Sequence, residues 1–309
     1  MTAVIGILNK NAVAIAADSA VTVSGNNGKK IYNNANKIFT LSKHHPVAIS
    51  IYNSANISAT PWEIIIKLYR NQLKEKSFPK LKDYSDDFFK FLKDQQFFST
   101  KETIESFNEN LIYHSFEDLS ELAIQKAVAS DTDLISISSE ERISLFRQNI
   151  IDLMSQRIEH FKRQEKLLDF QDLSIGDFKS LIEAKIIAII KNNFKEYATK
   201  KIINLFVKLT YEYLKSKIFF GSWTGLVFAG YGDKEIYPTT ISTLVGDVFN
   251  NKVRFYTDHV EVINDNNTGS IMPFAQRDVI DTIITGISPE IDETLFTTIN
   301  KFLSGYNNS

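Results

Sequence analysis

The 309-residue chain contains no cysteine. That absence excludes disulfides, thiolate zinc sites, iron–sulfur clusters and a cysteine nucleophile. Histidine is scarce as well: His44, His45, His114, His160 and His259 are the whole set, and no two stand at i,i+4 on a helix. No metal site is assigned. His44-His45 is read as a solvated turn, because adjacent side chains on a hairpin tip point in different directions. Neither charge is in excess, with 35 basic against 37 acidic residues and a formal net charge of -2. This argues against nucleic acid or an anionic membrane surface as an obligate partner. No apolar run reaches the roughly 18 residues that a membrane-crossing helix needs. The segment 1–17 is apolar and Ala14-Ile15-Ala16 imitates a signal cleavage site. However, no basic stretch precedes it and Asn9-Lys10-Asn11 splits it, so it reads as structure and the protein as cytoplasmic.

What is present is an ordinary globular composition, 43% apolar and 23% charged, in a chain long enough for one large domain or two ordinary ones. The texture changes along it. Residues 2–60 read as strands and turns, about 61–220 as helices, 222–263 as strands, and about 273–303 as a last helical stretch. Ala3 to Leu8 and Ala12 to Ala17 flank a turn at Asn9-Lys10-Asn11, a hairpin pattern. Asn36 to Leu41 and Val47 to Tyr52 form a second, around Ser42 to Pro46. Gly25-Asn26-Asn27-Gly28 is a loop signal between them. Thr60-Pro61-Trp62-Glu63 reads as a helix start with Thr60 as N-cap and Glu63 closing a capping box. The face Trp62, Ile65, Ile66, Tyr69, Leu73 follows at helical spacing. Further helices are expected over Ile143 to Phe161 and, as one long element, from about Asp177 to Lys217. Thr224 to Tyr231, Tyr237 to Asp247 and Lys252 to Tyr256 are strand-like, and a helix is expected to open at Met272-Pro273. Strands, then helices, then strands suit helices layered on antiparallel sheets.

The N-terminus carries the chemistry. Removal of Met1 would leave Thr2 first, with hydroxyl and α-amine on neighbouring carbons. An α-amine titrates near pH 8, so part of it is free base at neutrality and can take the proton of its own hydroxyl. A turn centred on Lys10 pairs residues summing to 20, which sets Asp18 opposite Thr2. A turn centred between His44 and His45 sets Lys37 opposite Tyr52 and Asn53. Thr2, Asp18 and Lys37 at open strand ends would form nucleophile, orienter and electrostatic stabiliser. Singly, each also fits a plain strand end or a solvated edge.

Thr2-Ala-Val-Ile-Gly-Ile, Val13-Ala-Ile-Ala-Ala-Asp18-Ser-Ala-Val-Thr and Asn36-Lys37-Ile-Phe-Thr-Leu together resemble the proteasome β-subunit type of N-terminal-nucleophile hydrolase, including its simpler bacterial homologues. In that family a catalytic threonine opens the first strand, an aspartate ends the second sixteen residues later, and a lysine follows. Thr2 to Asp18 also spans sixteen. The resemblance implies Thr2 as nucleophile, its amine as base, Lys37 as the cation at the site and Asp18 as its holder. Leu226 to Gly232 looks like the family's strand after its central helices. Gly269-Ser270 looks like the small-residue turn beside the threonine, giving Ser270 a hydrogen bond on the amine side. Val21, Ala35 and Ser50 would line the substrate pocket. The gap from Asp18 to Lys37 is longer than the family's. The oxyanion glycine is replaced by Val47-Ala-Ile-Ser-Ile-Tyr-Asn53, leaving the N–H of Asn53 for that task. The helical region is far longer, and less chain follows residue 285 than the family's last strands occupy.

The expectation is one domain over 1–309, of α+β class, a four-layer αββα sandwich with an enlarged helical layer. Its function would be that of an N-terminal-threonine amidohydrolase, a peptidase acting on peptide or protein substrates without metal or cofactor. Resemblance also implies assembly into a homo-oligomer and leaves open a partner ATPase. The alternative is a catalytically silent scaffold that binds a protein partner through its helical region.

Overall fold

The computed structural model describes residues 3–19, 21–25, 28–32, 36–57, 60–94, 97–98, 100–129, 136–275 and 277–306. Strand β1 (Val4–Asn9) returns as β2 (Val13–Ala17). Asn9 makes the turn, its Oδ1 accepting from the N–H groups of Asn11 at 2.8 Å and Ala12 at 3.0 Å, the local bonding that suits asparagine to turns. The loop is therefore centred between Lys10 and Asn11. Val4 faces Ala17 and Leu8 faces Val13, one residue away from the expected register. Asp18 accordingly lies across from Ala3, to whose carbonyl its N–H donates at 3.1 Å, and not across from Thr2.

Strands β3 (Val21–Gly25) and β4 (Gly28–Tyr32) pair with Gly25 opposite Gly28, so the loop signal there marks the tip of a further hairpin. Strands β5 (Ile38–Thr40) and β6 (Val47–Asn53) follow, with Ile38 opposite Ser50. Ser42 Oγ accepts from His44 N–H at 3.1 Å and His45 N–H at 3.0 Å inside their turn. Ile51 N–H donates to Lys37 O at 2.8 Å. Lys37 thus faces Ile51 rather than Tyr52 and Asn53.

Short strands β7 (Asn56–Ile57) and β8 (Thr60–Pro61) pair just before helix α1 (Trp62–Leu73). Thr60 is held in that ladder opposite Ile57, Pro61 occupies the cap position without a side-chain cap bond, and the capping box does not form. The expected face of α1 is buried all the same. With α2 (Leu81–Asp94) it packs on Ile49 and Ile51 of β6 and on the strands that follow the helical region.

That region contains α3 (Lys101–Ser115), α4 (Leu119–Ala129), α5 (Ser139–Arg163), α6 (Ile175–Phe194) and α7 (Lys200–Lys215). The single helix expected over 177–217 is two. Lys195 takes a left-handed φ of 41°, and Thr199 restarts the helix by accepting from Ile202 N–H at 3.3 Å. The break lets Ile182, Ile186 and Ile190 of α6 share a second core with Ile202, Phe206 and Leu209 of α7.

Strands β9 (Thr224–Gly230), β10 (Thr239–Phe249) and β11 (Lys252–Val262) complete a five-stranded antiparallel sheet in the order β11-β10-β9-β6-β5. Instead of opening a helix, Met272 and Pro273 end strand β12 (Gly269–Pro273), which pairs with the free edge of β1 to give β12-β1-β2. Helix α8 (Arg277–Thr285) begins after it, and Gly286, at φ 79°, separates α8 from α9 (Pro289–Tyr306).

The two sheets meet through Val4, Tyr52 and Val227, with Ile15, Trp223 and Phe274 against them. The order of layers is helices, five-stranded sheet, three-stranded sheet. No described helix covers the outer face of the small sheet, where Ile7 and Ile271 are about half exposed. The fourth layer implied by resemblance is not laid there by this chain's described residues. Within the intersheet core, the Tyr52 ring lies over Gly225, and a Cβ at 225 would fall 2.0 Å from it. Gly225→Ala is expected to cost about 1–3 kcal/mol of stability through this overpacking. Urea denaturation checks it, and a change below half a kilocalorie would show that the ring moves freely aside.

Candidate active site

The end of β2 and the approach to β5 bring two charged residues together. Asp18 Oδ1 accepts from Lys37 Nζ at 2.9 Å and from the Ala3 N–H at 2.9 Å. The Lys37 side chain is only 6% exposed and that of Asp18 32%. A lysine so enclosed needs a charged, hydrogen-bonded partner, and Asp18 supplies it while tying down the residue next to Thr2. Thr2 itself and Ala35 lie outside the described residues. Val21 is placed in β3, with no description of its side chain.

Asn53 ends β6 with φ 66°, a conformation asparagine tolerates better than most residues. Its Nδ2 donates to Trp223 O at 2.9 Å. N–H directions alternate along a strand. The Asn53 N–H therefore lies on the same edge of β6 as that of Ile51, which the Lys37 carbonyl takes. Lys37 thus meets Asp18 through its ammonium and the Asn53-bearing edge of β6 through its carbonyl.

Ser50 and Ser270 are placed otherwise. Ser50 is fully buried on a rung between Ile38 and Val227, and its hydroxyl has no partner among the described residues, so it lines no open pocket there. Ser270 pairs with Leu8, five residues along β1 from Ala3, or roughly 17 Å at the rise of a strand. Its hydroxyl bonds Glu261 instead. Burial disfavours the Glu261 carboxylate, but hydrogen bonds from His259, Asn267 and Ser270 outweigh it and hold the group below the usual carboxylate range.

One buried cluster was not foreseen. Arg254 of β11 is fully buried and sits 4.3 Å from the Tyr213 ring centre and 4.8 Å from that of Phe219. It donates to the carbonyls of Leu214, Tyr213, Ser216 and Ile218 and to Asp247 Oδ2. Asp247 also faces His114 Nδ1 at 3.3 Å. A cleft of about 250 Å³ opens beside this pair, lined among others by Asn110, Ser106 and Trp223. The signal in the sequence was an arginine inside the otherwise apolar run Val253-Arg-Phe-Tyr256.

Among the described residues no three His, Cys, Asp or Glu side chains gather with the geometry of a metal site. No described helix is long and apolar enough to cross a membrane. Comparison with family models, with curated proteins and with solved structures finds no match.

Proposed function

We propose that the chain is an N-terminal-threonine amidohydrolase, a peptidase of the kind its first 75 residues resemble. The observation that carries this is the Asp18 carboxylate bridging the Lys37 ammonium and the Ala3 N–H. It sets a buried cation and its anion within one residue of Thr2. With Met1 removed, the Thr2 amine takes the proton of the Thr2 hydroxyl, whose oxygen attacks the substrate's amide carbon. Lys37 stabilises the negative charge that develops, Asp18 holds Lys37 in place, and the Asn53 N–H offers a hydrogen bond to the oxyanion. The tetrahedral intermediate breaks its C–N bond, and the departing amine carries away the proton held by the Thr2 amine. Water, deprotonated by the same amine, then hydrolyses the ester on Thr2. No metal or cofactor enters these steps. The four-layer sandwich, the cytoplasmic location, the peptide or protein substrate and assembly into a homo-oligomer belong to the same proposal.

The test begins with the intact mass of untagged protein, expected to lack Met1. An electrophile that bonds both the amine and the hydroxyl of an N-terminal threonine should then label it stoichiometrically. Retention of Met1 would leave the hydroxyl without its base and sink the mechanism. The second reading is a silent scaffold, favoured by the buried position of Ser50. It predicts a processed chain that no such electrophile labels.

A further inference from the structure

Every described side chain of α9 from Pro289 to Ser304 is exposed. Even so, the helix carries Ile291, Leu295, Phe296, Ile299, Phe302 and Leu303, each between 47% and 73% exposed. Spacings of four, four and three residues put Ile291, Leu295, Ile299 and Phe302 on one face. A stripe of this kind is what a helix buries against a neighbour, and a helix of 18 residues has little stability without one. On α8, Ile283 and Ile284 extend the apolar surface, at 77% and 52% exposure.

We propose that α9 pairs antiparallel with α9 of a second copy of this chain, across a two-fold axis level with residue 297 and passing between Leu295 and Ile299. Two features select a second copy. Reversal about residue 297 lays Ile291 on Leu303 and Leu295 on Ile299, the exchange an isologous contact requires, and sets Phe302 across from Asp292 at each end of the seam. Charge also runs along the helix, with Glu290, Asp292 and Glu293 at one end and Lys301 toward the other, so antiparallel packing brings unlike charges to the same end of the pair and opposes the helix dipoles. The pairing is independent of the chemistry assigned to Thr2.

Sedimentation velocity of the full chain at micromolar concentration is the test. The wild type should sediment as a dimer, and Leu295→Asp and Phe302→Asp should each sediment as monomers with far-UV circular dichroism otherwise retained. Ile7→Asp, on the uncovered face of the small sheet, should remain dimeric. A monomeric wild type, a dimer that survives both α9 substitutions, or one split only by Ile7→Asp would each overturn the proposal. Because the chain has no cysteine of its own, Leu295→Cys combined with Ile299→Cys gives a second readout. Mild oxidation should trap a disulfide-linked dimer on a non-reducing gel, and a dimer that stays uncrosslinked rejects this antiparallel register.

Discussion

Alanine at position 2 abolishes amide hydrolysis and acyl-enzyme formation while the chain still folds. This is the largest effect expected on activity under the proposed mechanism. Thr2→Ala keeps the α-amine and removes only the attacking oxygen, so the loss in kcat should be about 10⁴-fold or more, the scale seen when a nucleophile is removed from a cooperating set. Thr2→Ser keeps a hydroxyl on the same carbon and should retain measurable turnover. Lys37→Met keeps most of the side chain's volume and removes its charge, with an expected loss of about 10²–10³-fold. The check is acyl-enzyme mass after incubation with an activated amide or ester substrate. Equal labelling of wild type and Thr2→Ala would remove Thr2 from the mechanism, and the scaffold reading would then lead.

The largest effect on stability is expected at Arg254. Leucine there leaves Asp247, 5% exposed, without its cation, and leaves the carbonyls of Tyr213, Leu214, Ser216 and Ile218 without this donor where α7 ends. Removing one partner of a buried ion pair costs about 3–5 kcal/mol, a large share of the roughly 5–15 kcal/mol that holds a typical protein folded. Arg254→Lys should rescue little, because one ammonium cannot reproduce the guanidinium fork that meets five acceptors here. The double variant Arg254→Leu/Asp247→Leu should recover part of the loss by removing the stranded charge. Chemical denaturation of the three variants gives the ranking. A single-variant loss under 1 kcal/mol would mean that water or His114 replaces the guanidinium.

The parts of the fold that the sequence announced are those with strong period and punctuation. The Asn9 turn, the face Trp62, Ile65, Ile66, Tyr69, Leu73 and the apolar runs of β9 and β10 all appear where the pattern puts them. Registers were less legible. The two N-terminal pairings each slipped by one because a turn's centre depends on which side chain bonds it, and here Asn9 and Ser42 decide. The strand Gly269–Pro273 hides a ladder because a glycine and a proline bracket only two apolar residues, Ile271 and Met272, beside Ser270. Only the free edge of β1 makes it a strand. Helix α6 runs into α7 on paper because the apolar period continues through Tyr197, whereas Thr199 competes locally and caps a new start. At the candidate site, spacing set Asp18 opposite Thr2, one residue off the register, whereas the pairing of Asp18 with Lys37 was implied only by the resemblance, and the two are in contact. Ser270 was assigned by likeness of text, which carries no register, and it lies at the far end of β1.

The two hydrophobic cores differ in how far apart along the chain their parts lie. The helical one draws almost wholly on residues 111–214, whereas the sheet's central pairing joins Val47 to Gly230 and Asn53 to Thr224. Closing so long a loop costs entropy before any ladder contact forms, and non-local strand pairing is slow for that reason. The packing of α3 against α7 brings the beginning and end of the helical region side by side. Once that bundle has formed, the chain left to close between β6 and β9 is reduced to the stretches 54–100 and 216–223. Formed first, the helical region would act as a folding template for the sheet around it. A truncation that loosens the bundle should slow the appearance of the sheet before it alters the sheet's final stability.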